Sequence, residues 1–221
     1  MQPEKKERIA PAEVVPLSSG LARKPWDARL AYRLVYPLRT TRITPNHLTT
    51  LRLLFGLLAF AGLSAGGWVW ANAGAWCFAL SNFLDHADGE LARIKGDSSR
   101  FGHYYDLLSD LLCTALLFVG MGIGLSTGEL GRIAVLMGVL AGIAVTLTFH
   151  MRHVIEKEKG KSGTKQPHAA GFEAEDILYL VPLLTATGLL APFLVLSAIG
   201  APLFAAWVLK EFLAVRAWQR L

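Results

Sequence analysis

Asp85-His86-Ala87-Asp88-Gly89-Glu90-Leu91-Ala92-Arg93, eight further residues, then Gly102-His103-Tyr104-Tyr105-Asp106-Leu107-Leu108-Ser109-Asp110: this stretch decides how the chain is read. Its aspartates fall three apart (Asp85, Asp88) and four apart (Asp106, Asp110), so on α-helices each pair shares one face. Both segments continue into apolar helical runs. A carboxylate facing a hydrocarbon layer costs roughly 2.5–3.5 kcal/mol at a helix centre. Four of them in one place repel unless cations sit between them. Hard oxygen ligands suit Mg²⁺ or Mn²⁺, and such an ion at a membrane face is a seat for a pyrophosphate.

The surrounding composition supports a membrane setting. The chain has 221 residues, enough for one domain; 53% are hydrophobic and only 18% charged, too apolar for an ordinary soluble domain. The apolar residues come in blocks of about 18–25, the length that spans a bilayer as a helix. Cys77 and Cys113 lie in apolar runs without metal-ligand spacing and read as small hydrophobes. Residues 1–25 are rich in Pro, Glu, Lys and Ser, lack the apolar core of a signal peptide, and read as a disordered tail. In residues 26–42, Trp26, Leu30, Leu34 and Leu38 recur at four-residue spacing among Arg29, Arg33, Arg39 and Arg42. That pattern predicts a basic amphipathic helix in the membrane interface.

From residue 43 to 221 the expectation is an all-α, polytopic domain of six transmembrane helices. The spans run from about 47 to 65, 68 to 84, 100 to 125, 130 to 150, 177 to 190 and 193 to 214. Gly66-Gly67, the Ser126–Glu129 turn and Ala191-Pro192 separate them on one side. Six spans put both termini on the other side, and every Lys and Arg except Arg132 falls at or near that side. The positive-inside rule makes it cytoplasmic, and the aspartates with it. The net charge of +5 is thus a topology signal, and no nucleic-acid partner is expected.

The order of small residues is more specific than the acids alone. Asp85-x-x-Asp88-Gly89-x-x-Ala92-Arg93, eight residues, Gly102-x-x-x-Asp106-x-x-x-Asp110 resembles, at every fixed position, the signature of the CDP-alcohol phosphotransferase (phosphatidyltransferase) family. Pro45-Asn46-x-Leu48-Thr49-x-x-Arg52 resembles the opening of that family's first helix. The resemblance extends from about residue 43 to 215. It implies a membrane enzyme of phospholipid synthesis that transfers a phosphatidyl group from CDP-diacylglycerol to a small polyol or polyol phosphate and releases CMP. It further implies Mg²⁺ or Mn²⁺, as a pair of ions, a homodimer, and a site in the cell membrane (the inner membrane in a bacterium). On matched positions, Asp85, Asp88 and Asp106 look like metal ligands, and Asp110 like the general base, also touching a metal. Gly89, Ala92, Arg93 and Gly102 look like donor contacts. Asn46 and Thr49, with Arg52, are either nucleotide contacts or caps and interfacial anchors. His86 and His103 read as lining residues.

The acceptor end is less defined. Basic residues near the end of the fourth span hold the acceptor phosphate in relatives that use phosphorylated polyols, which makes Arg152 the candidate; an interfacial anchor is the other reading. Leu107 and Leu111 stand where the phosphatidylglycerophosphate-type pattern has Pro and Lys, so the acceptor stays open. Gly120, Gly124, Gly138 and Gly142 permit close helix contacts, within one chain or between two. The alternatives are a CDP-choline/ethanolamine-type head-group phosphotransferase acting on a lipid alcohol, an intramembrane prenyltransferase, and a non-catalytic cation-binding membrane protein.

Overall fold

Gly66 and Gly67 stop the first apolar helix with positive φ angles of 68° and 70°, a conformation that glycine adopts without a Cβ penalty. The chain turns back there, as the sequence predicts. The structure, a computed structural model, describes residues 26–96, 99–159 and 174–218, and the regular elements among these are all helical. The tail 1–25 and most of the predicted polar segment around Lys161 and Lys165 lie outside the described residues.

Helix α1 is Trp26–Val35, followed by a 3₁₀ turn, Tyr36–Thr40. Helix α2 is Pro45–Ala65, α3 Trp68–Lys95, α4 Arg100–Leu125 and α5 Ile133–Lys159. A 3₁₀ segment, Ala174–Leu180, leads into a short α6, Val181–Ala186, and α7 is Leu190–Trp218. Pro45 occupies the first position of α2, where a missing N–H costs nothing, and the Thr44 N–H donates to His47 Nδ1 at 3.1 Å. Gly96 closes α3 in the left-handed region (φ 64°), and Ser99 caps α4 by accepting from the Gly102 N–H at 2.9 Å.

Among the described residues, four helices are long and apolar enough to cross a membrane: α2, α4, residues 133–155 of α5 and residues 190–216 of α7. Their outward faces carry Leu54, Leu58, Leu136, Leu147, Leu196 and Leu203, all exposed, as a lipid-facing surface requires. The chain is an integral membrane protein. The sequence predicts six spans, and the other two differ in character. Helix α3 has 28 residues, ample length, but its second half carries Asp85, Asp88, Glu90, Arg93 and Lys95. The described fifth segment, Ala174–Ala186, reaches only about 23 Å at helical rises, short of a hydrocarbon core of about 30 Å. The break after it also lies earlier than Ala191-Pro192. Gly188 (φ 74°) makes the turn, and the Leu189 N–H donates to Leu184 O at 2.8 Å. Pro192 instead stands in the first turn of α7, where no intrahelical acceptor awaits its nitrogen.

The packing order sets α2 between the two helices that carry the aspartates. Helix α2 packs along both α3 and α4, while α3 and α4 touch each other only sparsely. Gly56 of α2 lies directly under Cys113 of α4 and beside Ser81 of α3, leaving no room for a side chain. Gly120 and Gly124 face Phe60 and Leu63 of α2, and Gly138 and Gly142 face Phe118 and Ala115, so all four of these glycines serve contacts within the chain. Helix α5 packs on α4 and α7. Helix α1 lies on α3, with Ala31 and Val35 against Ala87 and Leu91. Leu30 and Leu34 of the predicted stripe point away from that contact and are exposed beside Arg29 and Arg33.

Candidate active site

The last turns of α3 and the first turns of α4 bring the four aspartates to one end of the bundle, with the first two turns of α2 between them. Asp85, Asp88 and Asp106 each offer an oxygen, and these atoms all lie within 4.8 Å of one another. Asp110 stands one turn beyond Asp106 on α4, outside that trio. Every one of these aspartates has a partner on α2. The Thr49 hydroxyl donates to Asp88 Oδ2 at 2.7 Å. Arg52 Nη1 contacts Asp85 Oδ1 and Asp106 Oδ1 at 2.5 and 3.0 Å, and its Nη2 contacts Asp110 Oδ1 at 2.7 Å.

One guanidinium among four carboxylates leaves a formal excess of negative charge. Three hard oxygens close together under that excess fit a divalent cation of the Mg²⁺ or Mn²⁺ type. Beside them opens a cavity of about 200 Å³ lined by Pro45, Asn46, Thr49, Asp88, Gly89, Ala92, Ser99, Gly102, His103 and Asp106. Of the residues predicted for the donor, Asn46, Thr49, Gly89, Ala92 and Gly102 line it. A Cβ on Gly89 would meet nothing within 4 Å, so the cavity is open above the bare backbone there. A Cβ on Gly102 would lie 3.0 Å from both Asn46 Oδ1 and Ser99 Oγ, so that glycine holds the wall of the cavity together.

Other predicted residues stand elsewhere. Arg93 is exposed on the last turn of α3, pairs with the buried Glu90 at 2.5 Å, and is not part of the cavity wall. Arg152 lies on α5 with its guanidinium 5.1 Å from the Phe204 ring, and its Nε is buried without a hydrogen-bond partner. The next residue, His153, comes within 6.3 Å, ring to ring, of the cavity residue His103. His86 is not part of the cavity wall either; its Nε2 pairs with Asp27 Oδ2 of α1 at 2.8 Å. Burial pushes the Asp27 carboxyl up, but the hydrogen bond and charge of His86, together with the backbone N–H groups of Ala28 and Asp27, hold the group below the ordinary value.

Sequence reasoning missed two features. Asp27 carried no signal as a buried residue, since it stands at the start of a basic helix. The binding of Arg52 to carboxylates was missed too, although an arginine inside an apolar run implies a buried partner.

The chain matches the CDP-alcohol phosphatidyltransferase family over residues 42–218. It belongs to that family. Membership puts it among the transferases of phosphate-containing groups. It is also similar to the archaetidylinositol phosphate synthase of Pyrococcus horikoshii, 35% identical over 92 residues, or 42% of this chain and 47% of that one. The chain thus spans about half the length of that relative.

Proposed function

We propose that the protein transfers a phosphatidyl-type group from a CDP-linked lipid, of the CDP-diacylglycerol class, to a small polyol or polyol phosphate. The observation that carries this reading is the set of four aspartates on two helix ends, two of which, Asp88 and Asp106, line a cavity whose wall is bare at Gly89. In the reaction the acceptor oxygen forms a bond to the lipid-linked phosphorus, the bond from that phosphorus to CMP breaks, and the acceptor's proton goes to Asp110. Asp85, Asp88 and Asp106 would hold Mg²⁺ or Mn²⁺, which supplies charge neutralisation at the donor pyrophosphate. Asn46, Thr49, Gly89, Ala92 and Gly102 seat the nucleotide end. The face of α4 opposite Asp106 carries exposed Phe101, Tyr104 and Leu108, a surface suited to the donor's hydrocarbon chains.

Arg152, with an unpaired buried Nε, is the residue we assign to an anionic acceptor, and the name of the Pyrococcus relative supports a polyol phosphate. Helix α1, with Leu30 and Leu34 exposed among arginines, lies in the cytoplasmic interface. Six membrane crossings with both termini and the site at the cytoplasmic face, and a homodimer, complete the reading. The test is a transfer assay on purified protein with CDP-diacylglycerol and Mn²⁺ or Mg²⁺. Glycerol 3-phosphate, inositol, inositol phosphate and serine are offered separately, and CMP release is followed. CMP release that requires one acceptor supports the proposal. Donor binding with silence toward every polyol, and turnover with diacylglycerol and a CDP-linked head group, would replace it by the head-group reading.

A further inference from the structure

We propose that Arg52 is the positioning residue of the acid cluster, a built-in counter-cation that ties Asp85, Asp106 and Asp110 together and so holds the acids in place for a divalent ion. The inference rests on the reading above for the ion and for the task of Asp110.

Arg52 is 2% exposed, the largest of the fully buried side chains, and it sits near the start of an otherwise apolar helix. A buried guanidinium persists only when ion pairs and hydrogen bonds offset its desolvation. Here three carboxylates do so, one from α3 and two from α4. Its Nε is buried without a hydrogen-bond partner, so the carboxylates alone hold the head group there. The backbone behind it is fastened as well, since the Ser81 hydroxyl of α3 donates to Arg52 O at 3.0 Å.

The geometry divides the labour between the two ends of the fork. Nη1 bridges Asp85 to Asp106, one acid from each motif helix, across a gap where α3 and α4 hardly touch. Nη2 takes Oδ1 of Asp110 and leaves the other oxygen of that carboxylate for the acceptor's proton. Arg52 does not line the cavity, so it acts through the aspartates and not on the nucleotide. A fixed positive charge so placed does two opposite things. It keeps the acids assembled and aimed, and it repels a divalent ion from the same cluster. Removing the charge should therefore tighten cation binding while turnover falls. Loss of a merely structural residue lowers both.

Two variants of the full-length protein in nanodiscs separate these effects, with thermal melting as the control for folding. Mn²⁺ binding is read by electron paramagnetic resonance without substrate, and turnover by CMP release. Arg52→Gln should bind Mn²⁺ about tenfold tighter, by relief of charge repulsion, with kcat reduced at least tenfold. Arg52→Lys keeps the charge and loses the planar fork. It should bind Mn²⁺ within about threefold of wild type and lose about 10–100-fold in kcat, the range for residues that orient metal ligands, with donor KM little changed. Weaker Mn²⁺ binding in Arg52→Gln, or unchanged binding and kcat in both variants, would overturn the role given to Arg52. A wild-type chain that binds no Mn²⁺ would instead remove the proposed function's ion, and the counter-cation role with it.

Discussion

Replacing Asp110 by asparagine exchanges one carboxylate oxygen for an amide nitrogen, keeps the shape of the side chain and removes one negative charge. The remaining carbonyl oxygen can still accept from Arg52 Nη2, which now sits 2.7 Å from Asp110 Oδ1. Asp110 lies outside the Asp85, Asp88 and Asp106 trio and outside the cavity wall, so neither cation nor donor should lose a contact. The group lost is the proton acceptor for the attacking hydroxyl. A positioned general base is worth about 10²–10⁴-fold, or about 3–5 kcal/mol of barrier at 1.36 kcal/mol per decade. Asp110→Asn should therefore cut kcat by at least 10²-fold, with donor KM within about threefold of wild type and Mn²⁺ affinity lowered by no more than about tenfold, the effect of one unit charge. The assay is CMP release at saturating donor, paired with Mn²⁺ titration of the same preparation. A kcat within threefold of wild type would refute Asp110 as the base. A loss of Mn²⁺ affinity well beyond about tenfold would show it to be a ligand of the ion.

Asp85→Ala removes one of the three clustered oxygens and should weaken Mn²⁺ binding by tenfold or more; an unaltered titration curve would take Asp85 out of the ligand set. Gly89→Ala adds a methyl group into open cavity, so the helix should gain up to about 1 kcal/mol in propensity while donor KM rises at least threefold. Equal donor KM values would show that the nucleotide does not pass Gly89. Asp27→Asn weakens the tie between α1 and the motif helix and should cost about 1–2 kcal/mol near neutral pH. Because folding lowers the Asp27 pKa, that contribution is complete above its unfolded value, near pH 4, and is lost as pH falls through the folded value. Melting curves that differ from wild type by the same amount at pH 7 and at pH 3 would contradict this.

What the sequence disclosed and what it hid divide along one physical line. The aspartates were legible because i,i+3 and i,i+4 spacing on a helix is local: any chain that makes α3 and α4 must put Asp85 with Asp88 and Asp106 with Asp110. The glycine stop at 66–67 was legible for the same reason. The break after α6 was misread because proline and glycine both punctuate helices, and only the backbone shows that Gly188 turns while Pro192 begins the next helix. The four-residue spacing on α1 singled out Leu30 and Leu34 but was silent on the face that packs. The small residues Ala31 and Val35 hold that face because α1 lies close on α3.

Arg52 is the instructive case. Its burial in an apolar run demanded counter-charge, but its partners stand 33 to 58 residues away in the chain, and no local spacing names them. What selects them is the depth to which α2 sinks between α3 and α4. That depth is set one turn further along, where Gly56 lies under Cys113 and beside Ser81. A side chain there would push α2 outward and carry Thr49 and Arg52 away from the acids. The small residue that looks like mere packing thus determines which carboxylates the guanidinium reaches. In this sense the site is built as much by the absence of a side chain at residue 56 as by the four aspartates themselves.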